Sequence, residues 1–174
     1  EKYSPVGVLR LQREFRHSGR TSTFAVMATT QQFGAAYNRV FSLDTRLQLL
    51  RNWIFTGQAI TSNTRTADGQ KLAGPAYYAD WRHSGRHFVW RTRYSDYSPN
   101  FRAGLGYIRR VDIRETYQDI GYRWRPENGP IQSIGPVISW YSFHDRTGRM
   151  TDWNVSPAIE ITAIRGTTFS YEPE

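Results

Sequence analysis

Asp80 and Arg82, Arg91 and Arg93, and Arg110, Asp112 and Arg114 fall two apart within three successive stretches of chain. Residues two apart share a face in an extended strand. The spacing therefore predicts three neighbouring strands turning arginines and aspartates to one side. Two chemistries follow. Charges on adjacent strands can pair and stiffen a polar interior, or the arginines can form a cationic lining that favours anions. Asp80, Asp96, Asp112, Glu115 and Asp119 also offer carboxylates, but glycoside hydrolysis needs one pair at a set separation, and nothing in their order singles out a pair. His83 and His87 stand four apart, a metal-pair spacing on a helix. Here they flank a turn, without a carboxylate or third imidazole at fixed spacing. No serine elbow, phosphate loop or dinucleotide fingerprint is present. These residues read as a non-catalytic protein that requires no metal or cofactor.

The elements that carry these charges are strands. From Arg39 to Leu49, Phe41, Leu43, Thr45, Leu47 and Leu49 alternate with Ser42, Asp44, Arg46 and Gln48. A helix would scatter this set around its circumference, so period two decides for strand. The run 86–97 sets Phe88, Trp90, Thr92 and Tyr94 against Val89, Arg91, Arg93 and Ser95. Similar alternation occupies 6–16, 21–32, 53–63, 75–82, 110–125, 131–144 and 151–164, and a tenth strand begins at 167. The aromatic set takes one face and the Arg/Asp array the other.

Tight turns are expected near 18, 51, 84, 128 and 165, with wider connections at 33–38, 64–75, 98–109 and 145–150. Short and longer links alternate, as in outer-membrane barrels with short periplasmic turns and longer outer loops; Greek-key sandwiches do not keep that order. Trp53, Trp81 and Trp124 each fall close to a tight turn, which suits an interfacial girdle. Trp90 and Trp140 are expected deeper. Phe88, Trp90 and Tyr94 are expected to face lipid.

Bulk properties agree. Aromatic residues make up 15% of a chain that is only 39% hydrophobic, a mixture that suits strands with one apolar and one polar side. No apolar run approaches the roughly 18 residues of a membrane-spanning helix. The net charge is +8, and of 23 basic residues only Lys2 and Lys71 are lysine. The arginines are spread singly along the strands and accompany no nucleic-acid motif, which argues against a nucleic-acid partner. Cysteine is absent, so disulfides and thiolate sites are excluded.

The link from Ser98 to Asp112 is too long for a hairpin turn and too apolar for a slack linker. Pro99 cannot donate to a ladder, and Gly104 and Gly106 permit unusual backbone angles. A structured loop is expected, with Phe101, Leu105 and Tyr107 folded back onto the sheet. Ser98-Pro99, Phe101 and Leu105-Gly106-Tyr107-Ile108, followed by Arg110-Val111-Asp112, resemble a signature of a bacterial outer-membrane β-barrel family without a settled activity. Longer members of that family carry an N-terminal domain similar to family 9 carbohydrate-binding modules. The resemblance runs from Val8-Leu9-Arg10-Leu11 to Tyr171-Glu172-Pro173-Glu174; Arg109 stands where the family suggests proline, and Ala103-Gly104 replace a more polar pair.

The expectation is an all-β, antiparallel up-and-down transmembrane barrel, seen over residues 1–174 as a partial barrel of about nine to ten strands. Strand polarity implies further strands before residue 1 and after residue 174. The resemblance implies a Gram-negative outer membrane, a channel or surface scaffold, and a link to carbohydrate binding or uptake. Expected partners are outer-membrane lipid, the remaining strands of the barrel and an outer-membrane protein complex. Two alternatives stand beside it: a soluble barrel or sandwich that binds a small ligand inside, and an enzyme acting on surface polysaccharide.

Overall fold

The computed structural model describes residues 3–106, 108 and 110–172. Among the described residues ten strands form a single antiparallel sheet in which each strand pairs with its neighbours in sequence. They are β1 (Val6–His17), β2 (Arg20–Phe33), β3 (Ala36–Leu50), β4 (Trp53–Arg65), β5 (Lys71–Ser84), β6 (Phe88–Tyr97), β7 (Ile113–Tyr122), β8 (Ile131–His144), β9 (Met150–Ala163) and β10 (Thr168–Tyr171). Strands β1 and β10 do not pair with each other, so the sheet is open, as in part of a barrel.

In-register pairing gives the two faces different chemistry. Leu11, Val26, Leu43 and Ala59 line up across β1 to β4, and Phe55 lies opposite Trp81. On the other side Gln12, Ala25, Asp44 and Gln58 line up in the same way. Leu43 is 50% exposed and Phe41 46%, whereas Ser42 between them is completely buried. A sheet curled toward its polar face crowds the small side chains there and spreads the apolar ones. The apolar side chains are thus the open surface, and the polar ones the interior.

Connections at 18–19, 51–52, 85–87, 123–130 and 164–167 lie at one rim. Those at 34–35, 66–70, 98–112 and 145–149 lie at the other, so Asp68 and Gly85 are at opposite ends. Several bounds correct the sequence reading. The wide connection expected at 33–38 is a two-residue turn, Gly34–Ala35, with Gly34 at φ 61°. The tight turn expected at 128 is part of a wider link, 123–130, pinned by a bridge between Trp124 and Ile134. Length alternation between the rims is therefore weaker than the sequence suggested. Strand β5 begins at Lys71, ahead of Pro75, which opposes Thr61. The Pro75 carbonyl accepts from the Ser98 N–H at 3.1 Å, so the proline nitrogen points past the end of β6, where the ladder needs no donor.

The first part of the link after β6 folds inward at Phe101. Phe101 is 1% exposed and lies 6.1 Å from the Tyr97 ring. Leu105, expected to fold back with it, is instead exposed. Tyr107 lies outside the described residues.

Candidate functional site on the polar face

The polar face positions its charges by strand register. Asp80, on β5, is buried and receives the Arg91 Nε–H at 2.7 Å from β6. Arg82 approaches the same carboxylate at 3.7 Å, and the Tyr78 hydroxyl donates to it at 3.3 Å. Arg93 reaches Glu115 at 3.5 Å. Tyr117 lies under both guanidiniums, 5.9 Å from Arg91 and 5.0 Å from Arg93, and its ring is 4.5 Å from that of Tyr141. On β3, Asp44 holds Arg10 of β1 with bonds of 2.8 and 2.9 Å. Four of the expected array, Asp80, Arg82, Arg91 and Arg93, thus share this face.

The other three do not continue it as strand residues. Arg110 and Asp112 lie in the loop before β7. Asp112 has φ 62°, which breaks the alternation between 112 and 114. Arg114 opposes Asp96, and both are in phase with Tyr94, Thr92 and Trp90. The expectation that Arg114 lies with Arg91 and Arg93 is therefore corrected: it projects from the aromatic face at the wide-loop rim. There Asp96 is buried between Arg114 at 3.3 Å and Arg146 at 2.6 Å, and Arg146 also reaches Asp112 at 3.6 Å. Arg146, in the β8–β9 connection, gave no signal in sequence. Asp96 did, since it follows Tyr94 by two.

Arg110 nevertheless faces the interior. With Arg93 and Glu115 it lines a cavity of about 750 Å³, whose other walls are Tyr97, Tyr141, Phe143 and Asp152 with Ile108 and Ile113. Arg110 has no ion-pair partner among the described residues. Tyr97, Tyr141, Phe143 and Asp152 went unnoticed in sequence, although period two from Arg93 leads to Tyr97. The pairing of Phe143 with Asp152 across β8 and β9 brings the carboxylate to the cavity. The result is a pocket with aromatic walls, two guanidiniums and two carboxylates.

Residues 98–104 lie over another part of the polar face. Asn38 on β3 donates to the Arg102 carbonyl at 2.9 Å and to Thr64 at 2.7 Å, and accepts from the Gly104 N–H at 2.8 Å. The Ser62 hydroxyl accepts from the Arg102 N–H at 3.0 Å. Gly74 allows the close approach: a Cβ there would lie 2.2 Å from Ser98 Oγ and 2.8 Å from the Phe101 nitrogen. Of the expected loop signature, Ser98 and Phe101 turn inward and Pro99 is exposed, while Leu105 and Gly106 form an exposed turn closed by Gly106 N–H to Ala103 O at 3.1 Å.

On the opposite face, Trp53, Trp81 and Trp90 contact one another, with ring separations of 6.1, 5.7 and 6.0 Å. Trp90, expected deeper, thus belongs to the cluster beside the tight-turn rim. Phe88 and Tyr94 are on the same face and exposed. Trp124 lies beyond the end of β7, exposed, edge-on to Tyr122 at 5.9 Å. His83 packs against the Trp53 ring at 4.3 Å, and His87 Nδ1 donates to the Arg123 carbonyl at 3.0 Å; among the described residues no group of three or more His, Asp or Glu could hold a metal ion.

Comparison with protein-family models, curated proteins and solved structures finds no match to this chain.

Proposed function

We propose that this chain forms the wall of an outer-membrane β-barrel in a Gram-negative bacterium, acting as a non-catalytic channel or surface scaffold. The observation that carries the reading is the exposed apolar face, which runs across the sheet through Leu11, Phe41, Leu43, Trp81, Ile138 and Val155. Such a surface in water invites association, whereas against lipid it is the stable arrangement. The polar face takes the ion pairs of Asp44, Asp80 and Glu115 and the folded-in part of the loop, as a lumen would. A soluble ligand-binding barrel requires the reverse, with aromatic side chains inside and arginines in water.

In this reading β1 and β10 pair with further strands, because open sheet edges do not face lipid. The cavity beside Arg93 and Arg110 is where a solute is held on its way through or at the surface. A saccharide fits its lining, with aromatic walls against the ring and charged groups bonding to hydroxyls. This agrees with the carbohydrate link that the family resemblance suggests.

The test is fractionation and conductance. The protein should remain with outer membranes through carbonate extraction and form ion-conducting pores in planar bilayers. A water-soluble monomer that leaves the membrane fraction would overturn the proposal. Should the membrane location hold without conductance, the scaffold role remains and the channel role is lost.

A further inference from the structure

The charge of this protein is gathered at one end of the sheet. Arg16 and Arg20 flank the first tight turn and Arg51 occupies the second. Arg82 precedes the third and Arg86 lies within it, Arg123 and Arg125 lie in the fourth connection, and Arg165 in the fifth. Within three residues of these connections stand eight of the 23 basic residues but only one of the 15 acidic ones, Glu127. The opposite rim, counted in the same way, has eight basic and six acidic residues. Nearly all of the net charge of +8 therefore resides at the tight-turn rim.

Carboxylates able to neutralise these charges are as unevenly placed. At the wide-loop rim Arg114 and Arg146 share Asp96. At the tight-turn rim only Arg82 has a carboxylate within reach among the described residues, Asp80 at 3.7 Å. Arg20 donates to the Leu49 carbonyl and Arg125 to the Arg86 carbonyl at 3.0 Å. Arg16, Arg51, Arg86, Arg125 and Arg165 are exposed. A row of unneutralised guanidiniums repels itself, and a partner bearing phosphates relieves this through bidentate bonds.

Their neighbours indicate which partner. Arg51 directly precedes Trp53 by one residue's gap, Arg86 lies four before Trp90, and Trp124 stands between Arg123 and Arg125. Indoles on the aromatic face sit at the boundary between acyl chain and headgroup, which puts the arginines one step further out, at headgroup depth. We infer that the tight-turn rim is a binding surface for anionic glycerophospholipid headgroups. The inference rests on the membrane reading and adds to it the charge class of the lipid and the rim that selects it.

The test uses the tryptophans as reporters. The protein is reconstituted in phosphatidylcholine–phosphatidylglycerol vesicles in which one lipid or the other has brominated chains, and indole quenching gives the relative association of the two lipids. Phosphatidylglycerol should be preferred on the order of tenfold at low salt, and the preference should collapse near 1 M salt, where the screening length is about 3 Å. R51Q/R86Q/R125Q/R165Q should lose the preference while keeping its strand content by circular dichroism. The control R65Q/K71Q, at the other rim, should retain it. Reconstitution without a preference, or a preference that survives the four substitutions, would overturn this proposal and leave the membrane reading intact. Failure to enter vesicles of either lipid would remove both.

Discussion

Arg91 reaches diagonally from β6 to Asp80 on β5, its Nε 2.7 Å from the carboxylate, while on the reverse of the same two strands Trp90 and Trp81 meet at 6.0 Å. One pair of strands thus carries a buried ion pair on one side and an indole contact on the other. A shift of register by a single residue would exchange them. The chemistry of the two faces is therefore what fixes the alignment of β5 and β6.

The first prediction concerns that ion pair. Asp80→Asn leaves Arg91 and Arg82 without a carboxylate on the polar face. Loss of one partner of a buried pair costs about 3–5 kcal/mol, reduced here because Arg91 keeps partial access to solvent, to roughly 1–3 kcal/mol. Arg91→Gln should leave the sheet assembled and change at most the ion selectivity. Urea unfolding of the single and double variants gives the coupling; additive effects would show that the pair contributes nothing.

The apolar face makes a second. Leu43 lies near the middle of β3, so Leu43→Arg should place a guanidinium near the bilayer midplane, at a cost of about 2–4 kcal/mol, and block assembly into membranes. Trp90→Arg, beside the rim, should be milder, about 0–1 kcal/mol from depth alone, with a further loss from the broken indole cluster. Membrane assembly of both variants can be compared by gel mobility of unboiled samples. Normal assembly of Leu43→Arg would contradict a lipid-facing surface.

A third concerns the folded-in loop. Asn38→Ala removes one acceptor and one donor that hold Gly104 and Arg102, and stranded buried groups cost about 1–3 kcal/mol. Segment 98–106 should become protease-sensitive while β-strand content persists. Gly74→Ala should have the same effect through the clash with Ser98 and Phe101. An unchanged cleavage pattern in both variants would mean that these contacts do not anchor the loop.

The β8–β9 connection responds to acid. Asp145 Oδ1 accepts from the Thr147 hydroxyl at 2.6 Å, the Thr147 N–H at 2.9 Å and the Arg149 N–H at 3.0 Å. The Thr147 hydroxyl does most to hold the Asp145 carboxyl below its ordinary value, with the backbone donors adding to it against some desolvation. A depressed value means the contribution is full above the ordinary carboxyl range and is lost as pH falls through the lowered one. Protection of the Thr147 and Arg149 amides, relative to their intrinsic exchange rates, should therefore hold from neutral pH downward and fall only in stronger acid than an ordinary aspartate requires. Asp145→Asn should exchange faster already at neutral pH; equal rates would refute the capping role.

The sequence by itself determined the strands and, for most of them, the side to which each residue points. Period two is a local property, set by backbone geometry in every residue pair, so Leu43 against Ser42 and Trp90 against Arg91 could be read without a partner strand. What lies between strands is decided by contacts far apart in the chain. His17-Ser18-Gly19-Arg20 and His83-Ser84-Gly85-Arg86 are the same four letters. The first makes a two-residue turn with Ser18 at φ 50° and Gly19 at φ 72°. The second does not: β5 runs on through Ser84, whose N–H donates to the Asn52 carbonyl at 3.0 Å, and His83 stacks on Trp53. The neighbouring hairpin chose the turn. Arg114 changed face because Asp112 adopts a positive φ just before β7 begins, which period two cannot register. Asn38 meets Arg102 and Gly104 across 64 and 66 positions, so only the folded sheet could bring the loop onto the polar face and leave the cavity beside it.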